Sequence, residues 1–188
     1  MSALVAAEVD GARLSSDEIA GIAAVLLSAG NVTTTRLLTS LLYALSVDPS
    51  LWDGLREHRE QVEPFVEDVL RLESPVQFPA RLTTRPVSLS GRTIPEGHFV
   101  MIGLGAANRD PDAFAGADRL IPGRSEPHVA FGYGIHYCAG AALARAEASV
   151  SLNAFLDRYR TVVQAAPAVA EEGLAHRGFA SLVLEFGR

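Results

Sequence analysis

Lysine is missing from this chain of 188 residues, and all sixteen cations are arginine, a habit of GC-rich codon usage rather than a demand of folding. Against 22 acidic residues they leave a net charge of −6. That balance argues against a general binder of nucleic acid or of anionic membranes, since both need a basic surface. Only one cysteine is present, so an intrachain disulfide is excluded. The start, MSALVAAEVD, lacks a basic segment and reaches acid at Glu8, so no signal peptide is expected there. The longest apolar run, Ile19 to Ala29, contains Ser28 and falls short of the roughly 18 residues that a membrane span needs. With 48% hydrophobic and 20% charged residues, a soluble, cytoplasmic protein with a single core is expected. Repeats and low-complexity tracts are also absent.

The single cysteine stands in Phe131 to Gly140, FGYGIHYCAG. A lone cysteine is more often a small buried hydrophobe, but these neighbours favour a different use. Gly132, Gly134 and Gly140 let the backbone turn tightly and approach something flat. The residues that follow, AGAALARAEASVSLNAFLDRY, are rich in helix formers, so Cys138 falls at the positive end of a helix dipole, which favours thiolate over thiol. As a zinc site, His128, His136 and Cys138 supply at most three ligands with no CxxC pair. A single axial thiolate on a haem suits the stretch better.

Phe131, Gly134, His136, Cys138 and Gly140 resemble the F-x-x-G-x-[HR]-x-C-x-G signature of the cytochromes P-450, the haem-thiolate monooxygenases, in its bacterial form. The resemblance implies haem b as cofactor, Cys138 as the iron ligand, and His136 on a haem propionate. His128 is read as structural support, because a lone His beside an apolar stretch is more often a satisfied core residue.

A capping box, Ser15 to Glu18, precedes IAGIAAVLLSAGNVTTTRLLTSLLYAL, and the next breaker is Pro49, which predicts one long helix. Its first half is apolar on nearly every side, as a buried central helix should be. Gly30 and the run Thr33 to Thr35 can kink such a helix, because hydroxyls divert carbonyls. The same stretch, AGNVTTT, is similar to the family's A-G-x-[DE]-T-T. By that likeness Ala29 and Gly30 let the backbone lie over the haem and Thr33 relays protons to iron-bound oxygen. Val32 stands where the family has an acid, and an aliphatic side chain carries no proton.

In FVEDVLRL, Asp68 and Glu67 lie three and four residues before Arg71, a spacing that suits a solvated ion pair equally well. With SPVQFPAR following, the helix resembles the family's E-x-x-R element, whose Glu and Arg join a downstream Arg in a buried network. Asp68 is favoured over Glu67 for the acidic role, and Arg119, in GAANRDPDAFAGADRLIPGR, is assigned as the third member. RLTTRPVSL, RTIP and HFVMIGL read as short strands. By resemblance Arg81 donates to a haem propionate, while Val76, Phe78 and, near the end, Phe179 touch substrate, with Gln77 lying between the first two.

The expected fold class is therefore mainly α with small β-sheets (α+β), the C-terminal portion of the cytochrome P-450 fold, truncated at the N-terminus. The elements expected are a central helix over about 15–47, an ion-pair helix over 62–73, a β-meander over 81–104, a haem-ligand loop over 128–140, a helix over 139–160 and a C-terminal β-hairpin over 161–186. The resemblance implies a monooxygenase of biosynthetic type, acting on a small organic substrate and drawing electrons from an external donor such as a ferredoxin and its reductase. The alternative is a remnant or haem-binding module without turnover. With the family's N-terminal half lacking, the apolar stripe of the central helix is expected to drive self-association or pairing with a second polypeptide, and haem binding is expected to be weak.

Overall fold

The computed structural model of the protein describes residues 2–9 and 11–188. A short helix α1 (Ser2–Ala6) and a two-stranded ribbon, β1 (Glu8–Val9) with β2 (Ala12–Arg13), lead into the 32-residue helix α2 (Ser16–Val47). Ser15 starts α2 as the sequence predicts: its hydroxyl accepts the Glu18 amide at 3.3 Å, and its amide donates to the Glu18 carboxylate at 2.8 Å. The same backbone donor holds the Glu18 carboxyl below its ordinary value. Thr33, Thr35 and Thr39 each return a hydroxyl to the carbonyl four residues back, at 2.7, 2.9 and 3.0 Å. Even so, α2 runs unbroken from end to end.

Asp48 ends α2 and caps α3 (Pro49–Glu57), with proline at the first helical position, where its missing N–H costs nothing. A 3₁₀ turn at Arg59–Gln61 joins α3 to α4 (Val62–Leu72). Next come β3 (Ala80–Leu82), β4 (Val87–Leu89), β5 (Arg92–Ile94), β6 (Phe99–Met101) and the single turn α5 (Leu104–Ala107). A long connection then reaches α6 (Ala141–Arg158), followed by β7 (Thr161–Gln164), β8 (Val169–Ala170), β9 (Phe179–Ser181) and β10 (Leu184–Gly187).

Two expectations about strands are corrected. The segment 81–104 is not a meander: β3 pairs with β6 around the inner hairpin β4–β5, because the Ser90-Gly91 turn closes β4 on β5 while the Pro95-Gly97 turn sends the chain back to β3, with the Gly97 amide donating to the Thr83 carbonyl. The end of the chain is nested in the same way, β7 with β10 around β8 with β9.

The core lies where the C-terminal half of α2 meets α3, α4, α6 and β7. Leu37, Leu41 and Leu45 pack with Trp52, Phe65, Val66, Val69, Leu152, Leu156 and Val162. Each such side chain withdrawn from water contributes roughly 1.5–3 kcal/mol. The N-terminal half of α2 is different. No residue from Ser16 to Arg36 is buried, and Val25, Leu26 and Leu27 are 65, 57 and 75% exposed. Composition predicts a buried segment there, but no element among the described residues packs over it. By length and composition α2 could also cross a membrane, a property that the run Ile19 to Ala29 does not reveal, yet its second half is committed to this core.

Candidate functional site

The Cys138 loop takes its shape from two glycines. Gly132 and Gly134 have φ of 75° and 72°, a region that side chains other than glycine rarely enter. They bring the Cys138 amide back to the Phe131 carbonyl at 3.0 Å and the Tyr137 amide to Gly134 at 3.0 Å. Ala141 then donates to the Cys138 carbonyl at 3.2 Å and α6 begins. Cys138 is exposed, one turn ahead of an 18-residue helix. The amides of Ala139 and Gly140 donate to no protein acceptor among the described residues. Free N–H donors and the positive end of α6 therefore stand beside Cys138.

Behind the loop stands α4. Arg71, 1% exposed, donates through Nε to Asp68 at 2.5 Å, through Nη1 to the carbonyls of Asn108 and Ala117 at 2.9 and 2.7 Å, and through Nη2 to that of Arg119 at 2.7 Å. Its guanidinium also lies 5.3 Å from the centre of the Phe114 ring. The second Asp68 oxygen accepts the Ile121 amide. The cation that meets Asp68 from the downstream segment is Arg124, not Arg119: Arg124 Nε is 3.1 Å from Asp68 Oδ1, and its side chain is 8% exposed. The pair is close without the alignment of a hydrogen bond. Arg119 enters only through its carbonyl, its side chain being on the surface. The assignment of Arg119 as third charge is corrected accordingly. The turn at Pro122-Gly123, with φ of 86° at glycine, carries Arg124 back inward.

Glu67 does not compete for Arg71. One residue apart on a helix, Glu67 and Asp68 point about 100° apart, and Glu67 meets Arg145 of α6 at 2.7 and 2.9 Å and His128 at 3.1 Å. Burial opposes its charge, but the bonds from His128 and Arg145 prevail and bring its pKa down to about 2. Arg145 is raised in turn, chiefly by Glu67. His128 Nδ1 lies 3.2 Å from the Ala130 amide, which must donate to it, so in the neutral ring the proton sits on Nε2, facing Glu67. The side chain is 8% exposed, the satisfied core histidine that its sequence setting suggests. These residues, with Arg124, Tyr133 and Tyr137, line a cleft of about 700 Å³.

On the other side, Ala29, Gly30 and Val32 lie on the uncovered half of α2. A Cβ on Gly30 would meet nothing within 4 Å. The Thr33 hydroxyl donates to the Ala29 carbonyl, leaving its oxygen free to accept. Arg81 donates only to its neighbour's carbonyl, Ala80, and no acid partner of Arg81 or His136 occurs among the described residues. Both are exposed. Phe78, Gln77 and Phe179 share a second cleft of about 370 Å³ with Tyr43 and Arg177. Phe179 packs on Tyr43, 4.7 Å between ring centres, and Val76 bridges to His176 beside that cleft. Missed in the sequence were Arg124, Arg145 and the use of Glu67.

A helix-rich fold with nested strand pairs, a buried Asp–Arg network and a lone cysteine in a glycine loop defines a class. The chain belongs to the cytochrome P450 family, whose model matches residues 1–176. Among its relatives, it is 38% identical over 163 residues to the cyclomarin C epoxidase CymV of Salinispora arenicola, covering 86% of this chain and 41% of that one. It is 44% identical over 160 residues to the vitamin D(3) 25-hydroxylase of Pseudonocardia autotrophica, covering 84% and 40%. The crystal structure of CYP109E1 from Bacillus megaterium in complex with testosterone superposes with a TM-score of 0.92 at 34% identity, over 97% of this chain and 51% of that one. The chain thus spans about two-fifths of the length of the curated relatives it matches and about half of the solved structure. The family is one of haem-thiolate, iron-dependent oxidoreductases.

Proposed function

We propose that the chain carries the thiolate loop and the oxygen-side helix of a biosynthetic haem-thiolate monooxygenase, which inserts one oxygen atom from O2 into a small organic substrate. The observation that carries this reading is the family match over residues 1–176, joined to an exposed Cys138 with free amides beside it at the head of α6. Relatives named as an epoxidase and a hydroxylase favour it over a remnant without turnover.

In this reading Cys138 would hold the iron of haem b through its thiolate, and Phe131, Gly134 and Gly140 shape its loop. Ala29 and Gly30 keep the helix surface low where the macrocycle would lie. Arg81 and His136, both without an acid partner, suit the two oxygens of a propionate. Bound there, haem supplies the activation of O2. Thr33 holds a proton donor or a water at its hydroxyl oxygen. Val32 supplies no carboxylate, so protons reach Thr33 through water or a substrate hydroxyl. Val76, Phe78 and Phe179 offer apolar contact to substrate. Asp68, Arg71 and Arg124 hold the frame behind the loop and take no part in the chemistry. Electrons come from an external donor such as a ferredoxin with its reductase, and the setting is the cytoplasm. Neither a separate second polypeptide nor self-association has support among the relatives, and neither belongs to this reading.

The test is reconstitution of the haem-loaded protein with ferredoxin, reductase and labelled O2 over a panel of small apolar substrates. One labelled oxygen atom in a product supports the reading. Consumption of reductant with haem fully bound and no labelled product from any substrate contradicts it. Val32→Asp should raise the ratio of product to hydrogen peroxide, and an unchanged ratio would show that protons arrive by a route away from Thr33.

A further inference from the structure

Arg145 touches both ends of the Cys138 loop. Its Nε and Nη2 are held by Glu67 at 2.7 and 2.9 Å, and its Nη1 reaches the Tyr137 hydroxyl at 3.3 Å. Its guanidinium carbon lies 4.5 Å from the centre of the Phe131 ring. Phe131 opens the loop and its carbonyl accepts the Cys138 amide; Tyr137 immediately precedes Cys138. Between them stand Gly132 and Gly134, the two positions with the most backbone freedom, and every residue from Tyr133 to Gly140 is exposed. Core burial therefore does little to order the segment. Among the described residues, Arg145 is the only hydrogen-bond partner of the Tyr137 hydroxyl. Glu67 is itself fixed by His128, whose ring is held by the Ala130 amide just before the loop.

We propose that Arg145 is a positioning residue that fixes the conformation of the Cys138 loop, gripping Phe131 and Tyr137 together while Glu67 locks the guanidinium in place. The planar fork is needed, because a lysine ammonium cannot meet a carboxylate with two bonds and stack on a ring at once. The order is built into the chain without any ligand. Its consequence for iron ligation rests on the proposed function; the loop order itself does not.

Two arms separate these. In the chain without haem, Arg145→Ala raises deuterium exchange at the Cys138 amide roughly 5- to 30-fold, the equivalent of about one to two kcal/mol of local opening, while the amides of Val69 and Leu152 keep their rates. Arg145→Lys gives a smaller rise, and Glu67→Gln also gives one. In the haem-loaded chain, Arg145→Ala binds haem but loses part of the thiolate signature of the ferrous–CO spectrum, and Arg145→Lys recovers some of it. An unchanged Cys138 amide in Arg145→Ala overturns the proposal. So does a rise shared equally with the core amides. Should Arg145→Ala not fold, an unchanged Cys138 amide in both Arg145→Lys and Glu67→Gln overturns it instead. The exchange effect present with no thiolate signature in the unsubstituted chain leaves the clamp standing and refutes the iron-ligand reading alone.

Discussion

Behind Cys138, charged groups are paired inside the chain: Asp68 with Arg71 and Arg124, and Glu67 with Arg145, while His128 adds a hydrogen bond to Glu67. On α2, from Ser16 to Arg36, nothing is buried, although the residues are as apolar as those that follow. The two regions share one helix, since α2 passes from the bare side into the core at Leu37. Apolar composition therefore does not by itself bury a face. A helix is buried where another element lies against it, and α4, α6 and β7 lie against the second half only.

The largest effect expected from breaking this contrast is at Arg71. Removing it takes from buried Asp68 the cation that hydrogen-bonds it and strips the Asn108 and Ala117 carbonyls of their donor, so Arg71→Ala should cost roughly 3–5 kcal/mol. Chemical denaturation measures this, and a soluble variant with an unchanged midpoint would show that the network does not support the fold. Along α2, Leu41→Ala should cost roughly 2–5 kcal/mol, whereas Leu27→Ala should stay within about 0.5 kcal/mol. Equal losses at both positions in thermal melts would mean that the first half is covered in solution. Arg124→Ala should cost roughly 1–3 kcal/mol by removing one of the two cations at Asp68 Oδ1 and the donor to the Ala115 and Gly116 carbonyls. Arg119→Ala should change almost nothing, because only its carbonyl is used; the reverse order would restore Arg119 as the third charge.

A smaller effect concerns acid. The folded protein holds Glu67 at about 2 against an ordinary 4.5. Its contribution is therefore fully present above about pH 4.5 and is lost as pH falls toward 2. Glu67→Gln removes that dependence. The stability difference between the two proteins should be greatest near neutrality and shrink across this window, and a constant difference would mean that Glu67 is not held ionised by His128 and Arg145.

The sequence made the Cys138 loop and the long helix legible because both depend on local rules. Spacing around a unique cysteine, two turn glycines and the Ser15 capping box are read within ten residues. Asp68 with Arg71 was legible for the same reason, being one helical turn apart. Arg124 was not, since Arg119 and Arg124 are five residues apart in an irregular segment and only the turn at Gly123 decides which guanidinium comes inward. Glu67 meets His128 and Arg145 across 61 and 78 residues, and no periodicity carries information over that distance. The nested strand pairs were misread because strand patterns mark strands and not their partners.

The ferrous–CO spectrum of the haem-loaded chain, compared with that of Cys138→Ser, decides whether this loop holds iron through sulfur. The chain should show the thiolate signature, and Cys138→Ser should lose it completely while keeping its fold by circular dichroism. A thiolate signature that survives in Cys138→Ser, or one that never forms in the unsubstituted chain with haem bound, would contradict the assignment of Cys138 as the ligand.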